Sequence, residues 1–389
     1  MELPLAARME RLGTETAFEV LARAKALEAE GRDILHLEVG EPDFDTPSFV
    51  VDAAAEALRG GWTRYGPAPG LPEVRHAVAE RTAATRGVPV RPEEVVVSPG
   101  AKPLLFFTAL ALVDEGDEVL VPDPGFPIYA SVARFAGGTV VPYSLPEARG
   151  FAPDPDEIAS LLTPRTKLVV LNSPGNPAGG VLGGADLDRT AEAIRASDAW
   201  VLSDEIYADF LYDGTHESIL ARPGMRERTV LVDGMSKSWA MTGWRAGWGV
   251  MPEALAERVT RLQINSVSCT ASFTQRAMAA ALAGPRDSVL EMVAAFRRRR
   301  DLLVEGLNSV RGFRCALPRG AFYVFPSVEG TGRSGREVAG DLLEEAGVAC
   351  VPGTSFGASG ERFVRFSFAR SEARLLEAVD RIRERYGAA

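Results

Sequence analysis

The chain has 389 residues, 46% hydrophobic and 25% charged, with a formal net charge of −10; it exceeds the roughly 250–300 residues at which one core stops growing, so a large and a smaller domain are expected. There is no basic tail, no run of ~18 apolar residues and no basic-then-apolar leader, which argues against nucleic acid, a membrane span and a secretory signal. Cys269, Cys315 and Cys350 are odd in number and lack a CxxC pair, and with three histidines they argue against a disulfide framework or a metal site and for a reducing cytoplasm.

In chain order, an irregular lead precedes a helix over about Thr16–Glu30 and a short strand, Ile34–Leu37. The prolines and glycine of Val39–Pro47 disfavour regular structure. Ser48 is placed to cap a helix to Arg59. The loop Trp62–Gly70, carrying Tyr65, leads to a helix over Leu71–Arg86. From there strand, turn and helix repeat. Val95–Val97 runs through Ser98–Ala101 into a helix from Lys102, and Glu118–Val121 runs through Pro122–Gly125 into a helix over Phe126–Ala136. Thr139–Tyr143 precedes a helix near Asp154–Leu162, and Lys167–Leu171 leads through Asn172–Gly180 to a helix ending at Ala196. Trp200–Leu202 ends at Ser203–Tyr207, Val230–Asp233 ends at Gly234, and Ala246–Val250 is the last strand of the set.

Runs such as Leu168-Val169-Val170-Leu171 are apolar on both faces, as parallel strands covered by helices must be. The pattern predicts an α/β large domain over 46–285, a mostly parallel seven-stranded sheet sandwiched by helices. After Met251 helices are expected at Glu253–Asn265, Ser272–Ala283 and Pro285–Val310. The run Arg297–Arg300 is expected to be a solvated helix face. Short strands (Phe313–Ala316, Tyr323–Phe325, Val348–Val351, Phe363–Ser367) mixed with helices (Arg336–Ala346, Glu372–Tyr386) predict a smaller α+β domain over 286–389, completed by the N-terminal segment 1–45.

The chemistry centres on Gly234–Gly247. The chain has 43 basic residues but four lysines, Lys25, Lys102, Lys167 and Lys237. Arginine therefore serves for ordinary surface charge, and the lysines that remain invite a chemical reason. Lys25 lies in a charged helix and Lys167 at a strand start, which leaves Lys102 and Lys237. Lys237 stands among small and apolar residues, eight positions before Arg245. Burial makes such an amine nucleophilic, and the guanidinium lowers its pKa further and can fork a phosphate. In an open α/β sheet, ligands sit beyond the carboxyl ends of the strands. Five unusual loops lie at such ends: Ser98–Lys102, Asp123–Phe126, Asn172–Gly180, Asp204–Tyr207 and Gly234–Lys237. They should converge on one site. The turn at Gly100 leaves the free amides of a helix start for an anion. Asp204, ending a strand, needs a positive partner, and a protonated ring nitrogen fits. Tyr207 can give its hydroxyl to the same ring, Phe126 can stack on it, and Asn176 sits in a stiff loop beside it. Glu205 reads as structural or solvent-facing.

With these residues in view, the stretch 234–247 resembles the lysine motif of the class I/II aminotransferases, pyridoxal-phosphate enzymes of fold type I. Gly40-Glu41-Pro42-Asp43-Phe44, Tyr65-Gly66, Asn176–Gly179, Ser203–Tyr207 and Arg365-Phe366-Ser367 follow the family's order, and the similarity runs from about Thr14 to the C-terminal helix. The resemblance implies a ping-pong aminotransferase with pyridoxal 5'-phosphate as cofactor. It makes Lys237, Asp204 and Tyr207 catalytic, with Lys237 as the aldimine lysine and proton carrier and Asp204 on the pyridine nitrogen. Tyr207 and Asn176 would bond the ring oxygen and Phe126 would stack, where related enzymes often carry Trp or Tyr. Gly100, Ala101, Lys102, Ser236 and Arg245 would hold the phosphate, together with Gly234, which stands where many relatives have serine. Tyr65 would reach the phosphate of a neighbouring subunit, so a homodimer with shared active sites is implied. Arg365 would clamp the substrate carboxylate, helped by Asn176 and Gly40.

The side-chain end of the substrate is less defined. Lys102 is similar to a lysine that some bacterial aspartate aminotransferases use for a distal carboxylate, whereas Phe18 suits apolar or aromatic donors. The runner-up keeps the cofactor and changes the reaction to elimination, cyclisation or oxidation. A nicotinamide-binding fold is excluded because no GxGxxG follows the first strand.

Overall fold

The fold, taken from a computed structural model, is described for residues 5–389; residues 1–4 of the expected N-terminal segment lie outside the described residues. The chain opens with α1 (Thr16–Ala29), β1 (Leu35–His36), α2 (Ser48–Arg59) and α3 (Pro72–Arg86). Next come β2 (Val95–Ser98), α4 (Lys102–Leu112), β3 (Glu118–Asp123), α5 (Ile128–Ala136), β4 (Thr139–Ser144) and α6 (Pro155–Leu161). They are followed by β5 (Thr166–Asn172), α7 (Gly184–Arg195), β6 (Trp200–Asp204), β7 (Thr229–Gly234), α8 (Met235–Ser238) and β8 (Gly247–Val250). The remainder is α9 (Glu253–Ile264), α10 (Ser272–Ala283), α11 (Asp287–Asn308), β9 (Tyr323–Val324), α12 (Gly335–Glu344), β10 (Val348–Ala349), β11 (Val351–Pro352), β12 (Val364–Ser367) and α13 (Glu372–Tyr386).

The expected sheet is present, with seven strands in the order β2-β8-β7-β6-β5-β3-β4. β4, β3, β5, β6 and β7 run parallel, and β8 lies antiparallel between β2 and β7. Strand periodicity sorts the apolar runs into two layers. In β5, Leu168 and Val170 enter the core beneath α4, α5 and α9, while Val169 and Leu171 enter the opposite core with α6 and α7. Burying each such side chain stabilises the fold by about 1.5–3 kcal/mol, so a charge at Val170 would break this layer.

Two smaller sheets accompany it, β11-β12-β9 and β1-β10. Leu35 of β1 pairs in parallel with Val348 of β10, which ties the N-terminal segment to the C-terminal unit. The aromatic core of that unit is built on Phe296, Phe322, Phe366 and Phe368, and Phe210, from the segment after β6, packs into it.

Four expectations need correction. Ser48 is the first residue of α2 and Pro47 is the N-cap, with no side-chain capping bond. Phe313–Ala316 is no strand; Arg314 makes a single bridge to Ser327. Val348–Val351 is split at Cys350, because β10 pairs with β1 while β11 pairs with β12. The run Arg297–Arg300 is not wholly solvated, since four consecutive positions sweep about 300° of a helix. Arg299 is buried, bonds Asp43 at 2.6 Å and lies over Phe44. Arg300 is buried as well, over Tyr212 and bonded to the Pro318 carbonyl at 3.1 Å. No helix among the described residues is long and apolar enough to cross a membrane.

Candidate active site

The five loops at the carboxyl ends of β2, β3, β5, β6 and β7 meet at one cavity of about 490 Å³. Its walls include Phe18, Gly40, Ala101, Lys102, Phe126, Asn176, Asp204, Tyr207, Ser236, Lys237, Arg245 and Arg365. A larger and more open depression of about 710 Å³ adjoins it at Glu41, Thr242, Gly243 and Arg245. We place the site in the smaller cavity, because the titratable groups that could do chemistry line it.

Lys237 sits in α8, a single turn directly after β7. Its Nζ donates to the Gly40 carbonyl at 2.6 Å and lies 5.8 Å from the Phe322 ring centre. Burial lowers the amine's pKa to about 8, Glu41 acts against that fall, and Arg365 and Lys102 add to it. The amine is therefore available unprotonated slightly above neutral pH.

Asp204 closes β6. Its Oδ2 accepts from the Tyr129 hydroxyl at 2.8 Å and its Oδ1 from the Ile206 amide at 3.2 Å. Burial pushes its pKa up to about 6, although both hydrogen bonds favour the anion. A buried carboxylate in that condition gains from a cationic hydrogen-bond donor in the cavity. Tyr207 follows three residues later, with its hydroxyl 2.8 Å from that of Tyr323.

Arg365, on β12, is fully inside the protein. Its Nη1 donates to Asn176 Oδ1 at 3.0 Å and its Nη2 to the Glu38 carbonyl. The guanidinium lies over Tyr323, 4.5 Å from the ring centre, and 4.9 Å from that of Phe356. Its buried Nε has no hydrogen-bond partner among the described residues. Tyr323 packs so tightly on Gly40 that a Cβ there would overlap its hydroxyl.

An anion cradle lies at the start of α4. Gly100 has φ +90°, and a Cβ on it would come within 2.5 Å of Arg245 Nη2, so only glycine lets the guanidinium close on this turn. Arg245 is itself held at φ +55°, with Nη1 donating to the Thr242 carbonyl at 2.8 Å. A non-glycine residue held in that region is strain that the surroundings must impose. The α4 amides at Ala101 and Lys102 and the hydroxyl of Ser236 complete the corner.

The remaining expected residues are placed differently. Gly100 and Gly234 lie behind the cavity wall. Gly234 is extended, and its amide is bonded to Asp233 Oδ1 at 2.7 Å. It faces Gly247 across the β7–β8 ladder. A Cβ on Gly247 would come within 2.5 Å of the Ala101 amide, and one on Gly234 within 3.0 Å of the Ala246 carbonyl. This glycine pair lets β7 and β8 lie against the cradle. Tyr65 is 89% exposed and lies outside the cavity. Glu205 is structural and not solvent-facing. It accepts from Arg86 Nε at 2.6 Å, His216 Nε2 at 2.9 Å and the hydroxyls of Ser203 and Ser218 at 2.9 and 2.5 Å. Burial alone would raise its pKa; Arg86 and His216 outweigh that and bring it to about 2.

Sequence reasoning missed Tyr129, Tyr323 and Glu15, all in the cavity wall. A tyrosine inside the apolar face of α5 was the available signal for Tyr129, because a buried hydroxyl needs a partner.

The donor set fits pyridoxal phosphate: a depressed lysine, a buried acid in need of a cation, an aromatic face at Phe126 and a glycine-arginine anion cradle. Comparison with known proteins agrees. The family model for aminotransferase class I and II matches residues 32–382. The aspartate aminotransferase of Rhizobium meliloti is 39% identical over 390 residues, covering 97% of this chain and 95% of that protein. Aromatic-amino-acid aminotransferase 2 of Thermococcus litoralis is 37% identical over 384 residues, covering 98% and 97%. The solved aspartate aminotransferase of Thermus thermophilus with maleate superposes with a TM-score of 0.94 at 39% identity, covering 98% of this chain and 99% of that one.

Proposed function

The chain belongs to the class I and II aminotransferases, and we propose that it moves the amino group of an L-amino acid to a 2-oxo acid with pyridoxal 5'-phosphate held at Lys237. The observation that carries this reading is the convergence of Lys237, with its amine pKa lowered by burial, Asp204, with its carboxyl pKa raised by burial, and Arg365 on one cavity. Family members use this cofactor, which supplies an electron sink for the pair left when the substrate's α-proton departs.

The chain's own residues do the rest. Asp204 would hold a proton on the ring nitrogen, an ion pair that its buried position would make worth more than in water. Tyr207 and Asn176 would bond the ring oxygen and Phe126 would stack on the ring, while the Tyr129 hydroxyl keeps Asp204 aimed. The amides of Ala101 and Lys102, with Ser236 and Arg245, take the phosphate; Gly100 and Gly234 shape that corner without side chains. Arg365 forks the α-carboxylate, helped by Asn176 and Gly40. The Lys237 amine would take the α-proton and return it on the other side of the reaction, work suited to a group with a pKa of about 8.

Further parts of the reading are a cytoplasmic homodimer, in which the exposed Tyr65 reaches the partner's phosphate, and the division into 1–45, 46–285 and 286–389. The test is the visible spectrum of the cofactor-loaded protein as single L-amino acids are added, followed by 2-oxoglutarate. Conversion of the cofactor by at least one donor, reversed by the oxo acid, is expected; no conversion by any donor contradicts the reading.

A further inference from the structure

The outer end of the cavity holds a charge pair supplied by the chain itself. Lys102 is the first residue of α4, a place where the helix dipole disfavours a cation and attracts an anion. The anion that answers is Glu15, the residue immediately before α1, whose carboxylate bonds Lys102 Nζ. Glu15 is 17% exposed at its side chain and Lys102 46%, so the pair contributes little to stability. Its consequence is for what a ligand finds there. The other basic side chains in the cavity wall are Lys237, Arg245 and Arg365, and the proposed function commits all three to cofactor, phosphate and α-carboxylate. Lys102 is the cation left for a substrate side chain, and Glu15 holds it. Glu41 adds a second carboxylate to the wall, and Ala17, Phe18 and Leu105 add apolar surface.

We propose that Glu15 is a specificity-determining residue. By holding Lys102 it leaves the side-chain end of the cavity with no free cation, which favours L-amino acids with uncharged aliphatic or aromatic side chains over dicarboxylic ones. A distal carboxylate must displace Glu15 from Lys102 and then remain beside it. The inference rests on the aminotransferase reading and concerns its substrate class.

Glu15→Gln keeps the shape and removes the charge. In the holoenzyme it should raise kcat/KM for L-aspartate relative to L-phenylalanine by about tenfold, the effect of removing one nearby like charge. The Kd of maleate, measured by calorimetry, should tighten by a similar factor. An unchanged aspartate-to-phenylalanine ratio with unchanged or weaker maleate binding overturns the role of Glu15 while leaving transamination intact. A wild-type holoenzyme that exchanges no amino group with any donor overturns the aminotransferase reading, and the inference falls with it.

Discussion

Asp204 and Glu205 are neighbours at the end of β6, and the alternation of a strand sends them to opposite environments. Behind the strand, Glu205 is closed in: Arg86, His216, Ser203 and Ser218 bond its two oxygens, and Arg86 also bonds Asp233 at 3.0 Å. In front, Asp204 takes one hydroxyl and one amide and opens on the cavity. Both are buried carboxylates, yet one is held down to a pKa of about 2 and the other pushed up to about 6. A carboxylate with all its partners supplied serves the fold. One left short of a cation awaits it from a ligand.

The sharpest way to break this comparison is to remove each charge in turn. Asp204→Asn should lower turnover by about 10³-fold, the loss typical of a major preorganised electrostatic group. Its melting temperature at pH 7 should equal or exceed wild type. The folded carboxyl has a pKa raised above the ordinary 3.8, so its contribution to stability is full below that value and lost as pH rises through about 6. Thermal melts of the cofactor-free protein from pH 4 to 7 should show this slope in wild type and less of it in the variant. A large loss of stability with near-normal turnover would reverse the two assignments.

Glu205→Ala should do the opposite. Taking from Arg86 one of its two carboxylate partners, and from His216, Ser203 and Ser218 the acceptor they share, costs about 3–5 kcal/mol, read as a lower denaturation midpoint, while the turnover of molecules that remain folded falls much less than in Asp204→Asn. The stabilisation that Glu205 provides is present above its ordinary 4.5 and disappears as pH falls toward 2. The smallest effect is expected at Tyr323→Phe, which removes the hydroxyl bonded to Tyr207. One lost hydrogen bond of about 1 kcal/mol should lower kcat/KM roughly fivefold, with a larger share in kcat if Tyr207 is thereby misaimed.

How much of this was legible in the sequence depends on how far apart the cooperating residues are. The large sheet could be read because each strand is locally apolar on both faces and each helix follows its own strand. Five of its loops could be read as one site because topology alone brings the carboxyl ends together. Lys237 stood out through the scarcity of lysine. Tyr129 and Tyr323 did not, since they act through Asp204, 75 residues away, and Tyr207, 116 residues away. The same is true of Glu15 and Lys102, 87 residues apart. The two-residue strands β9, β10 and β11 are fixed by pairing with distant segments rather than by their own composition. Arg299 and Arg300 looked like surface charge because an aromatic stack with Phe44 or Tyr212 leaves no local mark.

In the proposed function the cofactor sits on one amine, in front of the open carboxylate and away from the closed one. Reduction of the cofactor-loaded protein with borohydride, followed by peptide mass mapping, tests that placement directly. The added mass should fall on the peptide containing Lys237 and be lost in Lys237→Ala. A label on Lys102, or one that persists in Lys237→Ala, would contradict it.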